Sequence, residues 1–378
     1  MKWFKSFFFI FFFAFASNSF AEPPKLDALK KILVFLKNDI KINNKWEFWA
    51  RQESAVTEEE GFLWDTYVSE HWDFQEETLT LESCEEKLRL FQKKRGVDRW
   101  DRDYLTRVIK CDALKALLDN VGVRAATQYL DGKQYDCAII PGDVLLGVES
   151  KLHFFLQLRE KRCVNEFILA GSDRKLRKED KKNKLASKIV SLIKKPVSYD
   201  TVAGHLKTEM DGMFFLAMLA VAPDIGDFDS IFGKSAIELR NGVFHDNINA
   251  AFGQEGYLSE SMVSVQKTGM KISYAKVDQR GRATIKDNVA TIYNDDPSIV
   301  RKKLILLSSQ PCAHYQEEMF KKEFKELHRV SKNGEINVDI TVFSPPIGDN
   351  ILFVEQLDAL HQWLKVSLAS MESDAIAQ

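Results

Sequence analysis

Apolar residues along this chain follow two different periodicities. Between residues 23 and about 130 they recur at steps of three and four, as in Leu29, Ile32 and Leu36, which is the pattern of amphipathic helices. From Tyr135 onwards, short apolar runs alternate with helical segments. This order predicts an all-helical N-terminal lobe followed by an α/β domain, whose short apolar strands are buried on both faces.

Several apolar runs in the second half have the length and composition of buried parallel strands. The first two cover residues 137–140 and 166–170, and a helical segment at 144–162 separates them. Three further runs, each with a helical segment before or after it, cover residues 271–277, 303–307 and 338–343. We therefore predict a Rossmann-like, mostly parallel sheet of at least five strands, flanked by helices.

The first 21 residues have the form of an export signal. Two lysines precede a ten-residue run of Phe, Ile and Ala, and Ser19 and Ala21 lie at the two positions that a signal peptidase reads. The apolar run is about half of the roughly 20 residues needed to span a bilayer. Cleavage before Glu22 would give a periplasmic or secreted protein. A retained segment would instead anchor it to the inner membrane, facing the periplasm, and only then do we expect membrane association.

Charge and length narrow the class of protein further. The chain has 53 basic and 55 acidic residues, and its leader contains no acidic residue. A slightly acidic chain lacks the electrostatic footprint of a nucleic-acid-binding protein, so no nucleic-acid partner is expected. The length predicts two units, a helical lobe at 22–130 and an α/β domain at 131–378. An insertion at about 223–268 lacks clean periodicity and could be a lid over a site or mere decoration.

Export would place the five cysteines in a compartment that permits disulfide bonds, and their odd number leaves at least one thiol unpaired. Cys137 lies inside a predicted strand and Cys163 just before another, and both are interpreted as small core residues. Cys84 and Cys111 fall on successive predicted helices and could pair.

Small and polar residues follow the predicted strands where they end. The carboxyl ends of parallel strands meet at one edge of a sheet, which is where such sheets bind ligands. Glycine lets the backbone approach a ligand, and a helix start offers free amides to an anion. The same residue types also serve as helix caps and turn formers. The candidate ligand-binding residues are Gly142, Asp143, Gly171, Ser172, Asp173, Glu209, Asp278, Thr284, Asn288, Ser308 and Ser309.

Metal-dependent chemistry is a second interpretation of the same loops. Carboxylates are the ligands that hard divalent cations prefer, and such a cation would in turn hold a phosphate. The four carboxylates concerned are Asp143, Asp173, Glu209 and Asp278. A serine hydrolase is poorly supported, because Ser309 does not lie in a G-x-S-x-G motif. No catalytic residue is assigned.

Short motifs in the second half resemble, in order, those of the YdcF-like family, which includes SanA and ElyC. The resembling stretches are residues 136–142, 167–172, 208–209, 284–288 and 306–309. The chain also departs from the family pattern. Asp143 and Ser172 stand where extra glycines are usual, and Cys312 and Tyr315 stand where the family tends to have His and then Arg.

This resemblance implies a Rossmann-like domain in an exported or membrane-associated bacterial protein, linked to the cell envelope and to peptidoglycan precursors. It implies a site for a nucleotide-like, phosphorylated or lipid-phosphate ligand at the carboxyl edge of the sheet, and leaves open whether the protein is an enzyme. S-adenosylmethionine and a divalent cation remain open as cofactors. The alternative is a non-catalytic envelope scaffold, in which a tryptophan-rich helical lobe contacts a partner through Trp46, Trp49, Trp64, Trp72 and Trp100.

Overall fold

The structure of the protein is a computed structural model. It describes residues 24–43, 74–89, 112–124, 133–143, 145–176, 186–187, 199–200, 203, 206, 208–221, 270–275, 283–332, 334, 336–345 and 353–377. The predicted leader and the predicted insertion at 223–268 lie outside these residues. No described helix is long and apolar enough to cross a membrane.

The N-terminal region is helical, as its periodicity predicts. Its described helices are α1 (Leu26–Asn43), α2 (Leu81–Leu88) and α3 (Asp112–Val121). Residues spaced three and four apart, such as Leu29, Ile32, Leu33 and Leu36, form one fully buried stripe on α1. Cys84 lies in this helical core as a buried free thiol, and Cys111, with which the sequence suggested it could pair, lies outside the described residues. Burial raises the pKa of the Cys84 thiol to about 11.

Five parallel strands form one sheet in the order β3-β2-β1-β4-β5. They are β1 (Cys137–Pro141), β2 (Glu166–Ser172), β3 (Met270–Ala275), β4 (Leu304–Leu307) and β5 (Ile340–Phe343). All residues of β1 and β4 are buried, which explains why their sequences are continuously apolar rather than alternating. The predicted parallel sheet of at least five strands is therefore confirmed.

Helices cover both faces of this sheet. The helices on one face are α4 (Leu145–Glu160) and α5 (Glu209–Val221), which share a core with the residues of β1 and β2 that point towards them. The helices on the other face are α6 (Ile285–Asp295) and α7 (Ala313–Lys332). Successive strand residues point to opposite faces, so Ala138 belongs to the first core and Ile139 to the second.

The last described helix, α8 (Phe353–Ala377), belongs to the core of the N-terminal helices. Leu357, Leu360 and Leu364 of α8 are fully buried in that core, together with leucines of α1 and α3. Helix α8 also packs against α7. The two ends of the chain thus build the helical lobe together.

The strand order creates a topological switch point between β1 and β4. The chain proceeds outwards from β1 to β2 and β3, and then returns to place β4 on the other side of β1. The loops that follow β1 and β4 therefore leave the sheet towards opposite faces. Ligands of open α/β sheets bind in the crevice that forms at such a point.

Candidate functional site

Asp143 connects the two loops at the switch point. It follows β1, and its Oδ2 accepts a hydrogen bond of 3.1 Å from Ser309 Oγ, in the loop after β4. The same oxygen lies 3.0 Å from Lys151 Nζ. These contacts bring together two predicted site residues that are 166 positions apart in the sequence.

Lys151 is a fully buried cation beneath this group. Its side chain is 1% exposed, and its Nζ also donates a hydrogen bond of 3.2 Å to the carbonyl oxygen of Pro141. A buried ammonium requires a charged partner, because leaving one unpaired costs several kcal/mol. Sequence reasoning did not select Lys151. The available signal was its place on the apolar stripe of α4, three residues after Val148 and four before Phe155.

Glu209 is the centre of a second group on the other side of β1. It is the first residue of α5, and its Oε2 accepts a hydrogen bond of 2.6 Å from Ser172 Oγ at the end of β2. Its Oε1 lies 3.2 Å from Arg174 Nη2. The backbone N–H of Glu209 donates to the carbonyl oxygen of Arg174 at 2.8 Å, so the loop after β2 is bound to the start of α5.

Burial raises the pKa of the Glu209 carboxyl above its usual range. The positive charge of Arg174 and the hydrogen bonds from Ser172 and Arg174 oppose this rise, and the nearby negative charge of Asp143 adds to it. Glu209 therefore holds a proton more readily than an exposed glutamate. A buried carboxyl with a raised pKa beside polar partners is the kind of group that can exchange a proton with a ligand.

Gly142 lets the two groups meet. A Cβ atom at this position would lie 2.9 Å from the carboxyl carbon and from both carboxyl oxygens of Glu209. The Glu209 carboxyl thus packs directly on the turn that carries Asp143. Gly171 has a different role, because a Cβ there would lie 2.6 Å from Met213 Sδ. Its missing side chain makes room for α5 rather than for a ligand.

Other predicted site residues have structural partners. Thr284 is the N-cap of α6, where its Oγ accepts from the Asp287 N–H and its own N–H donates to Asp287 Oδ2 at 2.7 Å. The buried Ser308 donates to Gln316 Oε1 of α7 at 2.6 Å. Thr284 thus has the cap role that the sequence left open, whereas the Ser308 hydroxyl links the loop after β4 to α7.

Asp173, Asn288 and Asp278 complete the predicted set. Asp173 is partly buried after β2, and its N–H donates to the carbonyl oxygen of Ala275 at 3.4 Å. Asn288 lies on α6 with its Oδ1 buried and without a hydrogen-bond partner among the described residues. Asp278 lies outside the described residues. The site that the structure assembles therefore consists of Gly142, Asp143, Lys151, Ser172, Arg174, Glu209 and Ser309.

The metal interpretation gains no support from this arrangement. Across the part of the chain that the structure describes, no three His, Cys, Asp or Glu residues are grouped so as to hold a metal ion. Asp143 is paired with Lys151, and Glu209 is paired with Arg174. A divalent cation bound by these carboxylates would compete with two cations of the protein itself.

The chain matches no family model, no curated protein and no solved structure. The resemblance to the YdcF-like family thus remains a prediction from short motifs. The five tryptophans of the predicted partner surface lie outside the described residues, so the scaffold alternative also stays a prediction.

Proposed function

We propose that this is an exported protein of the bacterial cell envelope that binds a small molecule at the switch point of its sheet. The ligand class that the sequence favours is a nucleotide-like or phosphorylated envelope precursor. Asp143, Ser172, Glu209 and Ser309 form the wall of the proposed site. Glu209 is the residue suited to exchange a proton with the ligand.

The observation that carries this proposal is the packing of the Glu209 carboxyl against the turn of Asp143. Two carboxyl groups held close together and partly or fully buried destabilise a fold unless each is compensated. Here each has its own cation, Lys151 for Asp143 and Arg174 for Glu209. A buried carboxyl with a raised pKa, packed beside a second carboxylate at the ligand-binding edge of an α/β sheet, is typical of functional sites.

The test is the melting temperature of residues 22–378 in the presence of candidate ligands. The panel contains S-adenosylmethionine, nucleotides, isoprenyl phosphates, peptidoglycan precursors and divalent metal ions. A ligand at 100 times its dissociation constant adds about 2.7 kcal/mol to the stability of the folded state. We expect one class to raise the melting temperature of the wild type and to have a much smaller effect on Glu209→Gln and Ser309→Ala.

Asp136→Asn is the matched control for this experiment. Asp136 precedes β1 and accepts a hydrogen bond from the Lys303 N–H at 2.7 Å. It is therefore a carboxylate at the amino end of β1, whereas Asp143 follows its carboxyl end. The control should keep the full ligand response. A response that all variants retain would place the ligand elsewhere, and no response to any compound would favour the scaffold alternative.

Export is tested separately by the N-terminus of the protein made in a bacterial host. Mass spectrometry of the periplasmic fraction should find a chain that begins at Glu22. A chain that retains Met1 and remains in the membrane fraction would support the anchored alternative.

A further inference from the structure

The carboxylate of Asp143 lies where α/β proteins of this topology usually hold a ligand phosphate. In sheets with this strand order, the phosphate binds at the first βα turn, against the N-terminus of the following helix. In this protein that helix is α4, and Gly147 is its third residue. A Cβ atom on Gly147 would lie 2.5 Å from Asp143 Oδ2. The space against the first turn of α4 is therefore filled by an oxygen of the protein itself.

The donors that would hold an anion at this position already bind the same oxygen. Lys151 Nζ and Ser309 Oγ are 3.0 Å and 3.1 Å from Asp143 Oδ2. An ammonium, a hydroxyl and the start of a helix are the groups with which proteins bind phosphate. Lys151 lies on α4 itself, and its side chain is 1% exposed. The anion position is therefore lined by a buried side chain rather than by mobile surface side chains.

We infer that the Asp143 carboxylate is a built-in anion, which occupies the phosphate position at the head of α4 and so restricts the β1 turn to uncharged or cationic ligand groups. This inference rests on the proposed function, because it names the chemistry of one wall of that site. A phosphate placed beside Asp143 would also face the Glu209 carboxyl across Gly142. Hydroxyl and amine groups suit this wall, since the ionised Asp143 carboxylate only accepts hydrogen bonds. The phosphate of a phosphorylated ligand then lies elsewhere along the edge.

The inference is tested by removing the carboxylate and supplying an anion from solution. Melting temperatures of the wild type, Asp143→Ala and Asp136→Ala are compared in chloride, formate and inorganic phosphate at equal ionic strength. We expect Asp143→Ala to melt lower than the wild type in chloride. Formate or phosphate should then raise its melting temperature by about 2 °C or more, because the anion binds only the folded state. The wild type and Asp136→Ala should show no such rise.

A second variant shows where the added anion binds. In Asp143→Ala with Lys151→Met, the ammonium that would hold the anion is gone, so the rise should disappear. The inference fails if phosphate stabilises the wild type as strongly as Asp143→Ala, because the position would then accept phosphate with Asp143 in place. It also fails if folded Asp143→Ala gains nothing from either anion, which would make Asp143 merely the partner of Lys151.

The anion experiment can be completed even if Asp143→Ala does not fold, and it does not depend on finding the natural ligand. If Asp143→Ala does not fold, Asp143→Asn takes its place, and calorimetric titration of the wild type with phosphate gives a direct answer. If the wild type binds phosphate and Lys151→Met does not, the inference is overturned. If the wild type does not bind phosphate, the inference is supported. None of the compounds in the ligand panel is used here. An anion effect without any hit in that panel would therefore support the inference while the proposed function fails. A hit in the panel without an anion effect would support the proposed function while the inference fails.

Discussion

The missing side chain of Gly142 determines how closely the Glu209 carboxyl approaches the β1 turn. In Gly142→Ala the new methyl group would be 2.9 Å from three atoms of that carboxyl, which is closer than van der Waals contact allows. Because hydrogen bonds from Ser172 and Arg174 hold that carboxyl in place, we expect a loss of about 1–3 kcal/mol in the free energy of unfolding, measured by urea denaturation. Glu209→Ala removes the obstacle, so the same glycine substitution should cost less in that background. An equal cost in both backgrounds would contradict this account of Gly142.

His314 should make the stability of the protein depend on pH. Burial lowers the pKa of this residue from 6.5 to about 4, although a hydrogen bond to the Gly122 backbone opposes the shift. Its ring stacks on Trp363 at 4.4 Å, and its Nδ1 lies 3.9 Å from Glu317 Oε2, while the charge of Lys321 lowers the pKa further. The folded state thus favours the neutral ring.

As pH falls from about 6.5 to 4, His314 becomes protonated in the unfolded chain but stays neutral in the folded state. The contribution of His314 is therefore present above pH 6.5 and is lost towards pH 4, by up to about 3 kcal/mol. Urea denaturation at a series of pH values should show a shallower decline for His314→Gln than for the wild type. His153→Gln changes an exposed histidine and should leave the decline unchanged. Parallel curves for His314→Gln and the wild type would show that His314 does not titrate in this way.

The residues of the site were only partly predictable from the sequence. Asp143, Ser172 and Ser309 could be selected because they directly follow strands, and strand ends of one sheet meet at one edge. Lys151 could not, because its role depends on which carboxylate the folded chain brings to it. The local sequence shows a lysine on the apolar stripe of α4, but it does not show which carboxylate that lysine pairs with.

The start of helix α6 can be recognised from the sequence by its cap residues. Thr284 and Asp287 form a reciprocal capping box at the start of α6. We expect Thr284→Ala to lower the free energy of unfolding by about 1 kcal/mol, and Thr284→Ser to retain most of it, in urea denaturation. Neither variant should change the response to any ligand that stabilises the wild type. A lost ligand response with unchanged stability would instead assign Thr284 to the site.

The strands were predicted well because their burial on both faces leaves a strong trace in the sequence. The predicted run 303–307 corresponds to Leu304–Leu307, and 338–343 to Ile340–Phe343. The run 271–277 corresponds to Met270–Ala275, so here the strand begins one residue earlier and ends two residues earlier. Strand ends are less certain because polar end residues, such as Lys303, fit a loop as well as a strand.

At the scale of the molecule, the helical lobe and the α/β domain are joined by helices α7 and α8. Trp363 of α8 is 5% exposed in the core of the lobe, and its ring stacks on His314 in the first turn of α7. Arg124, which follows α3, donates a hydrogen bond of 3.0 Å to the buried Gln356 of α8. The sequence did not predict that α8 belongs to the lobe, because its apolar stripe fits any apolar surface and only the folded chain decides which one.

This arrangement predicts that the lobe and the sheet unfold together. Leu360→Ala empties a fully buried position of α8 in the lobe core, which should cost about 2–5 kcal/mol. Urea unfolding is followed by tryptophan fluorescence and by far-ultraviolet circular dichroism. Because α8 packs on α7, we expect the two transitions to coincide in the wild type and to shift together in the variant.

Val330→Ala is the control for this last experiment, since Val330 lies on α7 but is 69% exposed and should change neither transition appreciably. Coincident transitions require that α7 cannot keep its place on the sheet once α8 has left the lobe. A fluorescence transition that moves to lower urea while much of the dichroism signal stays in place would mean that the lobe unfolds alone. The switch-point site would then survive without the lobe, because Asp143, Lys151, Glu209 and Ser309 all belong to the sheet and its adjoining helices and loops.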